Sequence, residues 1–133
     1  MQIVGLYLVT ATFFLAADAI MLRFVMAPLF RAQLGDIMLD APRFGAAALF
    51  YLAYVAGLVK LVSLPALRAG DPVQALVNGA ILGAVAYGTY EFTNYATLKA
   101  WSLSQVALDL AWGTVLTAVA AWVGVNVLRL LSA

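Results

Sequence analysis

Residues 103–128 read LSQVALDLAWGTVLTAVAAWVGVNVL, an apolar run broken by a single charge, Asp109. A helix needs about 20 mostly apolar residues to cross the hydrocarbon of a bilayer, and this run is long enough. Three more stretches read the same way, at about residues 3–22, 44–64 and 73–98. The expected fold is an all-α membrane protein: four transmembrane helices in an antiparallel bundle, forming one domain over residues 1–133.

Composition points the same way. The chain has 133 residues, of which 66% are hydrophobic and 10% charged, with a mean hydropathy of +1.03. A soluble domain carries roughly 25% charged residues, so this chain lacks the polar side chains to cover a water-facing surface. The first run has no basic residues ahead of it and is long for a signal peptide, so it reads as a retained transmembrane helix.

Turn chemistry marks the boundaries. Asp40-Ala41-Pro42 precedes the second run, and Pro65 follows it, where a helix is expected to stop. Gly70-Asp71-Pro72 opens the third, with Asp71 as the N-cap and Pro72 in the first turn. Ser102 stands three residues before Gln105, a capping-box spacing at the start of the fourth. The one long link joins runs one and two. Phe24, Met26, Leu29, Phe30, Leu34, Ile37 and Met38 recur there among Arg31, Gln33 and Asp36, which predicts a short amphipathic helix at about 24–39 lying on the membrane surface. Arg23 and Arg31 follow the first helix and no Lys or Arg precedes it, so the positive-inside rule places both termini outside the cytoplasm.

Cysteine and histidine are absent. That removes disulfides, thiolate nucleophiles, Cys/His metal sites and histidine acid–base chemistry. The net charge of +1 leaves no footprint for nucleic acid. Neither a Walker-type phosphate loop nor a G-x-S-x-G elbow is present. No metal site is indicated, and the sequence leaves any cofactor unknown.

What remains is a set of polar residues inside apolar runs. Asp18, Glu91 and Asp109 are costly there and each needs a reason. In an antiparallel arrangement all three fall near the same membrane face, roughly 8–12 Å below it at about 1.5 Å per residue. Tyr51 and Tyr54 on the second helix reach a similar depth. Gly83, Tyr87, Tyr90 and Asn94 form a stripe on the third helix with Glu91 at its edge, and Trp112 and Gly113 share a face with Asp109. Every helix therefore contributes to one layer: Asp18, Tyr51, Tyr54, Tyr90, Glu91, Thr93, Asn94, Asp109 and Trp112. One reading is a cavity that holds a small molecule, a lipid headgroup or a shared proton. The other is packing: such groups also hydrogen-bond helices to one another, and the acids can pair with Arg23, Arg43 or Lys99. Gly79 and Gly83, spaced four apart, and Gly113 offer close helix approach.

The run Thr93-Asn94-Tyr95-Ala96-Thr97-Leu98-Lys99-Ala100-Trp101, followed by Asp109-Leu110-Ala111-Trp112-Gly113-Thr114, resembles a bacterial family of predicted four-helix inner-membrane proteins whose function is not defined. Asp18 and Phe30-Arg31-x-x-Leu34-Gly35 also fit its pattern. The family usually carries Asp before the Thr-Asn pair, where this chain has Glu91, and often Pro after the Trp, where it has Ser102. The resemblance implies a fold and a bacterial inner-membrane location, and no activity. The sequence leads to a small membrane protein that binds or transports through its acidic layer, in contact with membrane lipids and able to form a homo-oligomer. An accessory subunit of a larger membrane complex is the alternative. A lipid- or quinone-modifying enzyme fits less well, because no nucleophile stands with its base.

Overall fold

A computed structural model describes residues 2–41 and 43–132. Pro42, read above as part of the break before the second helix, lies outside the described residues. Four long helices account for nearly all of it: α1 (Gln2–Ile37), α2 (Phe44–Ala69), α3 (Pro72–Thr97) and α4 (Leu103–Ser132). Helices α1, α2 and α4 are long and apolar enough to cross a membrane. Helix α3 is as long as α2, at 26 residues each, but its C-terminal half carries Tyr87, Tyr90, Glu91 and Asn94.

The caps are chemically plain. The Gln74 N–H donates to Asp71 Oδ1 at 3.2 Å, so α3 starts behind an aspartate N-cap with Pro72 in its first turn. At α4 the Gln105 N–H donates to Ser102 Oγ (3.2 Å), and the Ser102 N–H donates back to Gln105 Oε1 (3.0 Å). Helix α2 ends at Gly70, whose φ of 65° is left-handed and open to glycine without strain.

Two expectations of the sequence change here. The first helix does not stop near residue 22 and give way to a separate surface helix; it runs unbroken to Ile37. The second does not stop at Pro65 but continues to Ala69. The same device explains both. A proline inside a helix has no N–H to give, and its ring collides with the carbonyl four residues back. In α1 the residues Leu22–Met26 form a π-helical turn, closed by the Ala27 N–H on the Leu22 carbonyl, and Pro28 follows. In α2 the residues Val59–Ser63 do the same, closed by the Leu64 N–H on the Val59 carbonyl, and Pro65 follows. The wider turn shifts the carbonyls that each ring would strike, so the helix passes the proline.

The joint also turns α1. Its 36 residues would reach about 54 Å if straight, against about 30 Å of hydrocarbon. Asp18 bonds Trp112, while Leu34 packs with Val106. Along α1 those two residues lie about 24 Å apart; along α4 their partners lie about 9 Å apart. After the π turn α1 therefore leans across the end of α4 instead of following it, as helices do at π turns and prolines.

The main core joins α1, α2 and α4 through Leu6, Phe14, Val55, Leu58, Leu116 and Val125, all buried. A smaller cluster of Leu34, Trp101 and Val106, with Phe30 and Met38 against it, seats the leaning part of α1 on the α3–α4 connection. Contact positions run in opposite directions along paired helices: residues 5 and 10 of α1 meet 128 and 124 of α4, and residues 79 and 83 of α3 meet 118 and 113 of α4. Helices α3 and α4 approach closely because glycine stands at the crossing. A Cβ on Gly83 would sit 2.5 Å from the Gly113 carbonyl oxygen and 2.9 Å from Thr117 Cβ, and one on Gly113 would run into the Tyr87 ring.

This crossing predicts a contrast between two glycines of one helix. Gly83→Ala should destabilise the protein by about 1–3 kcal/mol through overpacking. Gly88→Ala should be neutral or slightly stabilising, since its Cβ would meet only a Leu110 methyl at 3.5 Å. Thermal unfolding of the two variants in one detergent checks the order, and equal losses would contradict the close approach at Gly83.

Candidate functional site

Where α1 turns, the four helix segments leave a cavity of about 450 Å³. Asp18, Tyr51, Tyr54, Tyr90 and Asp109 line it, each drawn from the polar layer that the sequence marks out. Glu91, Trp112 and Asn94 do not line it. Glu91 is fully buried behind the wall and lies in hydrogen-bonding reach of Asp109. Trp112 is half-buried and turned to Asp18. Asn94 sits at the end of α3, where its carbonyl accepts the Leu98 N–H at 2.8 Å, and Thr93 is exposed. Gly79, Gly83 and Gly113 lie at the α3–α4 crossing and do not line the cavity, although Gly113 backs the Tyr87 ring that does.

The acids find neutral donors where the sequence suggested basic partners. Asp18 is 4% exposed, and its Oδ1 accepts the Trp112 indole N–H at 3.0 Å. Glu91 Oε1 accepts the Trp101 indole N–H at 2.9 Å. Arg23, Arg43 and Lys99 are exposed. Trp101 is itself buried, at 7% exposure, with its ring 5.6 Å from both Phe30 and Tyr90. The leaning part of α1 covers it. Glu91 Oε2 is buried without a partner. Because Asp109 is close by, a proton held between the two carboxyls would satisfy both.

The aromatic wall forms around Tyr54. Its hydroxyl and Thr117 Oγ1 are hydrogen-bonded at 3.0 Å, its ring meets Tyr87 edge-on at 6.3 Å, and Phe50 stacks 6.4 Å away. Tyr51 stands beside Asp18. Phe50 is strongly exposed and forms an open lip.

Sequence reasoning placed Tyr87 in the stripe with Tyr90 but did not pick out the apolar wall. Leu22, Met26 and Phe30 of α1 line the cavity in series below Asp18, four residues apart each time. In a plain α-helix a four-residue spacing drifts around the axis. The wider turn at Leu22–Met26 offsets that drift and keeps these side chains in one line. That spacing, followed from Asp18, was the available signal. Among the described residues no group of three acids is gathered closely enough to hold a metal ion.

The arrangement is an amphipathic pocket, with an apolar lane of Leu22, Met26 and Phe30 along α1 and with Asp18, Asp109 and the phenol groups of α2 and α3 around it. If the indole bond positions Asp18, then Trp112→Phe should cost about 1.5–3 kcal/mol in the wild-type background. It should cost far less in an Asp18→Leu background. A double-mutant cycle of unfolding free energies measures the coupling, and additive losses would count against the bond.

No curated protein and no solved structure shows significant similarity to the chain. The family model described as "Predicted membrane protein (DUF2177)" matches residues 3–126. With nearly its whole length matched and three helices long and apolar enough to cross a bilayer, the chain belongs to this family of membrane proteins of unknown function.

Proposed function

We propose that the chain crosses a bacterial inner membrane four times, as an antiparallel bundle, and acts as a non-enzymatic module that binds an amphiphilic small molecule or lipid. The observation that carries this reading is the cavity: about 450 Å³, lined by two acids and the tyrosine rings of α2 and α3 beside an apolar lane along α1. Pockets that take small organic ligands span about 300–1,000 Å³, are mostly apolar and hold a few convergent polar groups. A chain selected only for helix packing would fill such a space, since voids forfeit contacts.

A fourth crossing is supported by the packing of α3. It lies against α4 from Gly79 to Tyr87, and a helix that follows a spanning partner over such a length spans with it. Its one charged residue, Glu91, is turned inward and fully buried. The segment 24–39 then serves as a cover leaning on the α3–α4 connection through Phe30 and Leu34. Both termini face away from the cytoplasm in this reading.

Two outcomes are expected. Untagged protein extracted gently from its own membranes should carry a reproducible extra mass in native mass spectrometry. Ala86→Phe, which fills the cavity from α3, should lose that mass while keeping its helical content. Constant protein partners in place of a small mass would favour a complex subunit. For orientation, the absence of cysteine helps: a membrane-impermeant maleimide applied to the outside of intact cells should label Ser132→Cys and spare Ala100→Cys. The reverse pattern would invert the assignment.

A further inference from the structure

The cavity wall carries acidic groups and, among the described residues, nothing of opposite charge. Asp18 and Asp109 line it, and no Lys or Arg is found among the described lining residues. Asp18 is more than nine-tenths buried. Its bond from Trp112 orients the carboxyl but brings no charge, because an indole is neutral. Buried carboxylates are ordinarily paired with a cation, bound to a metal or protonated. The basic side chains nearest in sequence, Arg23 and Lys99, are exposed, and no metal-binding group of acids forms among the described residues.

Around these acids the lining is aromatic. Tyr51, Tyr54, Tyr87, Tyr90 and Phe50 line the cavity, with Phe50 and Tyr87 packed around Tyr54 at 6.4 and 6.3 Å. The face of an aromatic ring is electronegative and draws a cation within about 6 Å of its centre. Several such rings around a carboxylate are the chemistry that recognises alkylated ammonium groups. An anionic headgroup would meet the same surface with repulsion from both the acids and the ring faces.

We propose that the ligand of this cavity is a cationic amphiphile. Its ammonium-type group sits between the Asp18 and Asp109 carboxyls and the tyrosine rings, and its apolar chain lies along Leu22, Met26 and Phe30. The proposal rests on the cavity-binding reading above and adds the sign of the ligand's charge. Asp18 and the Asp109–Glu91 pair, which keeps one negative charge even with a proton between its carboxyls, supply the counter-charge, the rings strip water from the cation, and the apolar lane takes the tail.

Three probes with the same tail and different heads test it: dodecyltrimethylammonium, laurate and dodecyl glucoside. Each is offered to the protein in nanodiscs, with empty nanodiscs as the partition control, and retention is read by native mass spectrometry. The expected result is retention of the cation at least about tenfold tighter than the other two. In the Asp18→Asn/Asp109→Asn double variant, which keeps the shape of both side chains, the preference should fall to about twofold or less. Tyr90→Leu, on the exposed rim, gives a second measure should the double variant misfold, with the preference weakened there by a few-fold. Equal retention of all three probes would overturn the cationic ligand while leaving cavity binding intact, as protonated carboxyls would produce. A cation preference undiminished in the variants would remove the carboxylates and rings from the site. Retention of none of the probes above the empty-disc control would overturn both this proposal and the binding reading beneath it.

Discussion

A carboxyl group buried among apolar helices must find a hydrogen-bond donor, and this chain supplies two from tryptophan. Trp112 of α4 donates to Asp18 of α1, and Trp101 of the α3–α4 connection donates to Glu91 of α3. Each bond fixes where two segments meet. The first sets the level of α1 against α4. The second holds the connection beneath α3, which gives Phe30 and Leu34 of the leaning part of α1 a surface to rest on. Between lipid-facing helices the hydrophobic effect provides little preference for one arrangement over another, so directional bonds and close packing select this one.

Close packing does the opposite job from the polar layer. Where Gly79, Gly83 and Gly113 face their partners, α3 and α4 come nearly into backbone contact. One turn further along α3, Tyr87 and Tyr90 stand at the cavity wall. At this level the Tyr87 ring lies over Gly113 and the Tyr90 ring packs against Trp101. The small residues make room for the rings, and the rings provide the cavity lining.

Much of the fold was legible because the bilayer constrains sequence strongly. A run of about 20 apolar residues has few alternatives, and the caps at Asp71 and Ser102–Gln105 obey local rules. The polar layer was legible for a related reason: Asp18, Glu91 and Asp109 are conspicuous where charge is costly. Their partners were hidden. Asp18 and Trp112 are 94 residues apart in sequence, and nothing local announces that an indole takes the place expected for a basic residue. The burial of Trp101 was equally hidden, because it depends on a fold-back of α1. The apolar wall had a signal in the spacing of Asp18, Leu22, Met26 and Phe30, but a helical stripe of apolar residues means core far more often than cavity.

The largest departure from expectation, the continuity of α1 and α2 through Pro28 and Pro65, joins these threads. A proline usually reads as a stop, yet here each stands two residues beyond a π turn that makes room for it. In α2 the result is a longer helix. In α1 it changes the site. Were the helix to stop at residue 22, the cavity would lose Met26 and Phe30; were it to run straight, those residues would leave the bundle with the rest of the segment. Only a helix that continues and bends keeps Leu22, Met26 and Phe30 in line beneath Asp18 while it lays Leu34 over Trp101. Pro28 is exposed and lines no part of the cavity. Its effect on the site runs through the course of the backbone, so the shape of the apolar lane is set by a residue that no ligand need touch.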